Sequence, residues 1–308
     1  MKTSLLISIV FTMFLLLIAS CKKDDNTLPQ EPAYRLISEA FFSGSDPIDQ
    51  TDYTFSENRL SYLEHQDGNH LYMFDYAYAD ALVTATSSYL DDTVLHTAGR
   101  TDYIFENDLL KEINTWAKVG DNWHQAFSIE LTYTGNQLAE YIEYKLADPY
   151  ARGVYTYENE HLVKFEAYHY TNAWVKWIND EFQYSGDTLK VYYSTIATTG
   201  ILKVKMDYCY QDGLLIRINN FVDRDGDWEL IYLTDYQYDN NDNAILEEVR
   251  FASDSSLYYH TEFQYEKGVD NLESFIYTGV PDDPDMIYPT PTNHFTNPRL
   301  LRMLMDEK

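Results

Sequence analysis

Cysteine is nearly missing from this chain, which has two, Cys21 and Cys209. Two thiols can build neither a disulfide framework nor a zinc ribbon. Basic residues are scarce as well: 22 Lys and Arg stand against 50 Asp and Glu, for a formal charge of -28. That deficit excludes a nucleic-acid groove, which needs basic patches to displace counterions from phosphates. The eight His (65, 70, 96, 124, 161, 169, 260, 294) form no H-E-x-x-H or other ligand spacing. His65 and His70 flank Asp67-Gly68 and read as solvated turn residues. There is no G-x-S-x-G elbow, phosphate loop or dinucleotide fingerprint, so the sequence calls for no cofactor.

Aromatic side chains are what the chain has in excess. Its 29 Tyr, 15 Phe and 5 Trp make 16% of 308 residues. With so much surface to bury, the acidity is not that of a disordered tail. The length admits one large β domain or two ordinary ones.

Residues 1–20 read as a lipoprotein signal peptide. Lys2 is a positive n-region, Leu5 to Ile18 an apolar run broken only by Ser8 and Thr12, and Ala19-Ser20 the small residues before the cut. The run is shorter than the ~20 apolar residues that cross a bilayer as a helix. Ile18-Ala19-Ser20-Cys21 resembles a bacterial lipobox, which implies acylation of Cys21 and a lipid anchor in the outer membrane. Lys22-Lys23-Asp24-Asp25 resembles the export signal of Bacteroidota-type surface lipoproteins, which implies exposure at the cell surface. Residues 21–48, with Pro29, Pro32 and Gly44, read as a tether or linker that docks onto the domain.

Residues 49–280 carry an internal period. An aromatic-x-aromatic pair, a polar turn and an aliphatic residue recur nine times, with starts 23 to 28 residues apart. The copies are Tyr53-Phe55 to Leu60, Tyr76-Tyr78 to Leu82, Tyr103-Phe105 to Leu109, Leu131-Tyr133 to Leu138, and Tyr155-Tyr157 to Leu162. Phe182-Tyr184 to Leu189, Tyr208-Tyr210 to Leu214, Tyr236-Tyr238 to Ile245 and Phe263-Tyr265 to Leu272 complete the series. Between pair and aliphatic residue lie Asn, Asp and Gly, which accept the left-handed angles of tight hairpins. Each pair therefore ends one strand, and the aliphatic residue begins its antiparallel partner.

Trp123, Trp174 and Trp228 precede Tyr133, Tyr184 and Tyr238 by ten residues each. In a regular strand an even separation puts both residues on one face. Trp228, Leu230, Tyr232, Thr234, Tyr236 and Tyr238 are accordingly expected on one side. Nine hairpins imply about 18 strands in an all-β antiparallel meander. An open sheet of that size would leave two sticky edges, so closure into a large barrel or wrapped sheet is expected. The many Tyr suggest two partly wet faces.

The recurring Tyr-x-Tyr, polar turn and Leu resemble the YD repeats of RHS proteins. They also resemble the degenerate repeats of Bacteroidota lipoproteins of unknown function, some of them porin-like in fold. The chain departs from YD repeats in lacking a regular Gly-x-Leu and in having Phe or Leu at some first aromatic positions. A membrane-spanning barrel is permitted by strand length. Against it stand the acyl anchor and charged strand faces such as Lys203, Lys205 and Asp207. Residues 281–308 read as a Pro-rich loop and a short C-terminal helix, capped at Asn297-Pro298, that docks on or plugs the barrel end.

Three sets of site residues follow. Trp116, Trp123, Trp174, Trp177 and Trp228 are candidates for stacking on a sugar ring; packing at strand ends is the competing explanation. Asp223, Asp225 and Asp227 could wrap a hard cation, although Gly226 falls between acids, which favours a plain hairpin turn. Cys209, between Tyr208 and Tyr210, reads as a core or lumen thiol, and no catalytic residue is singled out. The expectation is a non-enzymatic surface lipoprotein that binds a polysaccharide, another nutrient or an envelope protein. A structural shell without a small ligand and a hydrolase with a carboxylate pair are the alternatives.

Overall fold

The computed structural model describes residues 34–267, apart from 44, 57–58, 68–69, 80, 92–93, 108 and 198–200. The expected signal peptide, Cys21, and the expected Pro-rich loop and C-terminal helix lie outside the described residues, as do the expected turns at Glu57-Asn58 and Gly268.

Alternating Tyr, Val, Ile, Phe and Thr with Asn/Gly punctuation makes every described element a strand. In chain order they are β1 (Tyr34–Ser43), β2 (Asp46–Ser56), β3 (Arg59–Asp67), β4 (His70–Ala79), β5 (Leu82–Asp91) and β6 (Val94–Glu106). Next come β7 (Leu109–Val119), β8 (Asn122–Thr134), β9 (Gln137–Lys145), β10 (Asp148–Glu158), β11 (His161–Tyr170) and β12 (Trp174–Ser185). The last are β13 (Thr188–Ala197), β14 (Ile201–Gln211), β15 (Leu214–Arg224), β16 (Asp227–Tyr238), β17 (Ala244–Phe251) and β18 (Leu257–Lys267). Consecutive strands pair antiparallel, and β1 pairs with β18 as well as with β2. The strand connectivity is thus an antiparallel meander closed into an 18-stranded barrel, as the edge argument requires.

The closing strand β1 lies inside the stretch read from sequence as linker. Its Tyr34 stands opposite Lys267 and its Phe42 opposite His260. This part of the linker docks, but as a strand. Arg35 pairs with Glu266 across the seam.

By their contacts the described residues fall into two compact units, residues 51–152 and residues 34–50 with 153–267. Each has a packed face and an open face. In residues 51–152 the packed face carries Leu60, Leu63, Phe74, Tyr103, Ile113, Ile129 and Leu138, all 3% exposed or less. In the other unit it carries Leu189, Tyr192, Met206, Leu215, Ile218 and Val249. Each such side chain contributes ~1.5–3 kcal/mol by burial.

The repeat has a fixed anatomy. The first residue of each pair is buried in every copy except Phe182, which is half-buried, and all nine second aromatics are half-buried. The second aromatic faces a buried aliphatic residue: Phe105 faces Leu110, Tyr133 faces Leu138, Tyr184 faces Leu189, Tyr210 faces Leu215 and Tyr238 faces Ala244. In three copies this is not the residue expected from sequence. Leu109 and Leu214 each come one residue before the partner and Ile245 one after it, while a one-residue bulge follows the partner in all five copies, at Lys111, Ala139, Lys190, Ile216 and Ile245. The bulge lysines cap the next repeat, with Lys111 Nζ 4.7 Å from the Tyr133 ring and Lys190 Nζ 4.8 Å from that of Tyr210.

Candidate binding face

A second bulge recurs at the other end of five even-numbered strands. The register skips Ala98 in β6, Ala126 in β8, Trp177 in β12, Ile231 in β16 and Tyr258 in β18. Each lies seven residues before the second aromatic of its repeat. A bulge inserts one residue and so reverses the alternation beyond it. In β8 the sign is direct, because neighbours Ala126 and Phe127 are both buried.

The expectation that Trp and Tyr ten residues apart share a face therefore fails in all three copies. Trp123 lies opposite Lys118, Trp174 opposite Tyr170 and Trp228 opposite Asp223, all on the open face. Tyr133, Tyr184 and Tyr238 stay on the packed side. The supposed one-sided run from Trp228 to Tyr238 breaks at Ile231, with Trp228 and Leu230 turned outward.

Trp116 also lies on the open face, opposite Gln125, but it is tied into the protein. Its indole N–H donates to Asp102 Oδ2 at 3.1 Å. Asp102 also accepts two bonds of 2.8 Å from Arg100 and one of 2.9 Å from Thr84. Trp177 occupies a bulge. Trp174 rests edge-on against Tyr170, with ring centroids 5.2 Å apart. Trp228 is the tryptophan among the exposed large apolar residues, at 40% exposure.

Around Trp228 the register builds two rows on the open face. Tyr193, Lys205, Phe221 and Leu230 stand in one, and Thr195, Lys203, Asp223 and Trp228 in the next. Two ion pairs cross them, Lys203–Asp223 at 3.0 Å and Lys205–Asp207 at 2.9 Å. Lys205 Nζ also sits 4.7 Å from the Phe221 ring. Tyr193, Phe221 and both lysines were not among the sequence candidates; only alignment on the bulge would have brought them into phase with Trp228.

The acidic run belongs to a hairpin turn. Asp223 Oδ1 accepts from the Gly226 amide at 2.7 Å while Oδ2 accepts from Lys203. These bonds hold its carboxyl below the usual carboxylate range. Asp225 and Gly226 supply the left-handed angles, φ 57° and 98°. Among the described residues no three His, Cys, Asp or Glu side chains are grouped to hold a metal ion.

The open face elsewhere is ionic. Arg217–Asp235, Arg250–Glu248, Arg152–Glu140 and the Lys164–Glu166–Lys176 cluster lie along the strands. A Lys or Arg facing lipid at mid-bilayer costs ~2–4 kcal/mol, so these strand faces suit water. Cys209 sits on this face too, half-buried, with Asn219 Nδ2 3.7 Å from its sulfur.

Among the described residues three carboxyls are shifted upward, and all lie in the packed face. Burial pushes Glu143 up to about 7 against the pull of Lys145. It pushes Asp180 up to about 7 despite hydrogen bonds from Ser194 and Tyr192. Glu247 rises to about 8 by burial, with the Tyr236 hydroxyl opposing and Glu39 reinforcing the rise. Glu143 Oε2 and Asp180 Oδ1 have no hydrogen-bond partner. A hydrolase would need such acids open to substrate, and these are at most 7% exposed. His65, expected in a solvated turn, is buried on β3, 2.9 Å from Thr51 Oγ1, and burial lowers it to about 4.

No family model and no curated protein matches the chain. Among solved structures it is similar to a porin-like protein from Bacteroides uniformis ATCC 8492, with 10% identity over 75% of this chain and 98% of that one and a TM-score of 0.43. A porin-like protein from Bacteroides vulgatus ATCC 8482 aligns over the same shares with 9% identity and a TM-score of 0.38.

Proposed function

We propose that the protein is a lipid-tethered, non-enzymatic envelope protein that binds carbohydrate through the aromatic hairpin ends of its barrel. The observation that carries this reading is the polarity of each unit. Exposed large apolar side chains gather at the hairpins away from the aromatic pairs. In residues 51–152 these are Val94, Leu95, Val119, Leu146 and Tyr150; in the other unit they are Ile48, Tyr170, Val175, Trp228, Leu230 and Leu257. At the aromatic-pair ends only the bulge residues Ile216 and Ile245 are comparably exposed among the described residues. Bulges that turn Trp123, Trp174 and Trp228 away from the core supply rings for a ligand's C–H face, where a regular strand would have packed them.

The tether supports the same polarity. Strand β1 starts beside the end of β18, at the aromatic-pair end. The thirteen residues 21–33 reach roughly 45 Å when extended. Acylation of Cys21 would hold the aromatic-pair end toward the membrane and leave the Trp-bearing hairpins outward, at the surface. Two or more acyl chains anchor stably without basic residues, which suits a charge of -28.

Two measurements test this. Cys21→Ala should abolish palmitate incorporation and release the protein from the membrane fraction; retention of label would refute the anchor. The full chain should retard in gels containing a soluble polysaccharide, and no retardation across a broad panel would refute carbohydrate binding. One observation favours a second reading: Val94, Leu95 and Val119 present aliphatic surface without rings, which suits an envelope protein partner. Cross-linking at those hairpins in intact cells tests it.

A further inference from the structure

Trp228 stands on β16 and Tyr193 on β13, with β14 and β15 between them. Strand spacing of ~4.8 Å puts their backbones roughly 14 Å apart. The ring centroids are nevertheless 6.1 Å apart, tilted by 56°. Both side chains therefore lean inward across the two middle strands, which carry Lys203, Lys205, Phe221 and Asp223 on the same face. The bulge at Ile231 is what turns Trp228 onto this face. Without it the indole would point to the packed side.

We propose that Trp228, Tyr193 and Phe221 form an angled stacking platform for a neutral polysaccharide, its hydroxyls held by the Lys203–Asp223 and Lys205–Asp207 pairs. The proposal rests on the carbohydrate-binding reading above and assigns its site and its ligand class. Two rings at 56° match successive sugar rings of a twisted chain better than one flat ligand. Each ion pair offers an N–H donor beside a carboxylate acceptor, and a pair of vicinal hydroxyls uses both. Neutrality follows from charge. Both lysines are already matched by Asp223 and Asp207, and the chain's charge of -28 repels polyanions.

The test is binding of the full chain to a panel of neutral polysaccharides (a mannan, a β-glucan, a xylan) and one polyuronate, by affinity electrophoresis and calorimetry. Trp228→Ala and Tyr193→Ala should each weaken binding to a neutral member at least 10-fold, with Trp228→Phe weakening it less. Ile245→Ala, an exposed residue at the aromatic-pair end, should leave it unchanged. Binding that survives Trp228→Ala and Tyr193→Ala overturns this site while leaving carbohydrate binding standing. Binding to the polyuronate alone overturns the ligand class. Failure of the unaltered chain to bind any member overturns both readings.

Discussion

The Tyr133 hydroxyl donates a 2.8 Å hydrogen bond to the main-chain oxygen of Leu110, in the preceding repeat. Tyr238 does the same to Leu215 at 2.7 Å and Tyr78 to Leu60 at 2.8 Å. Leu110 and Leu215 each precede a bulge residue, where the ladder is interrupted and a carbonyl is released from regular pairing. In the Tyr133 and Tyr238 copies the second aromatic thus serves the backbone defect of the repeat before, by its oxygen as well as its ring, whereas Phe55 and Phe105 carry no hydroxyl and that of Tyr157 has no hydrogen-bond partner.

Tyr133→Phe and Tyr238→Phe should therefore each cost about 1 kcal/mol, because the ring stays packed while a carbonyl loses its donor. The two sites share no partner, so the double variant should lose the sum within about 0.5 kcal/mol. Urea unfolding of the two singles and the double checks both statements. A neutral Tyr133→Phe would mean that water replaces the hydroxyl.

The repeat was legible because its signals are local: a pair of rings, a turn with Asn or Gly, an aliphatic residue. Strand number and closure followed from counting and from the cost of open edges. The bulges were not legible. Ala98, Ala126, Trp177, Ile231 and Tyr258 range from a methyl group to an indole, and the inserted residue shows itself only through its partner strand. That single omission put Trp123, Trp174 and Trp228 on the wrong face and hid Tyr193 and Phe221 from the site. Of the three acids raised by burial, one, Glu143, falls on a position that the repeat itself marks. Counted from the repeat aliphatic residue, the fifth position falls in core phase and holds His65, Thr115, Glu143, Ser194 and Asn220, each buried. β1 was invisible as a strand because it belongs to no repeat; the β18 edge specifies it.

Asp102 is the acceptor on which Arg100, Thr84 and Trp116 converge, and it is 6% exposed. Asp102→Ala should cost about 3 kcal/mol, since it strands a guanidinium, an indole N–H and a hydroxyl together. Trp116→Phe removes one donor and keeps most of the packing, so about 1 kcal/mol is expected. Chemical denaturation separates the two. Near-equal losses would show that Trp116 contributes by its ring alone.

The turn between β9 and β10 is built from residues ill-suited to it. Leu146 and Ala147 have φ of 50° and 71°, and the Leu146 side chain is 71% exposed. Two successive left-handed residues make the kind of hairpin turn that Asn-Gly fits, and an L side chain there costs about 1–2 kcal/mol. Leu146→Asn with Ala147→Gly should raise stability by about 1 kcal/mol and the melting temperature by a few degrees. If stability instead falls, the exposed leucine is held by a contact worth more than the strain.

Stability should depend on pH in two opposed directions. Glu143, Asp180 and Glu247 have folded-state values raised to about 7, 7 and 8. The folded chain thus holds protons that the unfolded chain, titrating near 4, has given up. Stability therefore falls as pH rises from about 4 toward 8, by up to about 1.4 kcal/mol per pH unit for each group, and levels above the folded values. His65 acts the other way. Its value is lowered to about 4, so the unfolded chain gains a proton below about 6.5 that the folded chain refuses. Its contribution is intact above about 6.5 and is lost as pH falls toward 4. Glu247→Gln should stabilise the protein at pH 8 and have little effect at pH 4.5, because it removes the cost of ionising under Tyr236. His65→Gln should flatten the acid limb while leaving the alkaline one. Thermal melts of the parent and both variants at half-unit intervals from pH 4 to 9 separate the two limbs. A Glu247→Gln gain that is the same at both ends of the range would mean that packing, not proton uptake, is what the substitution changes.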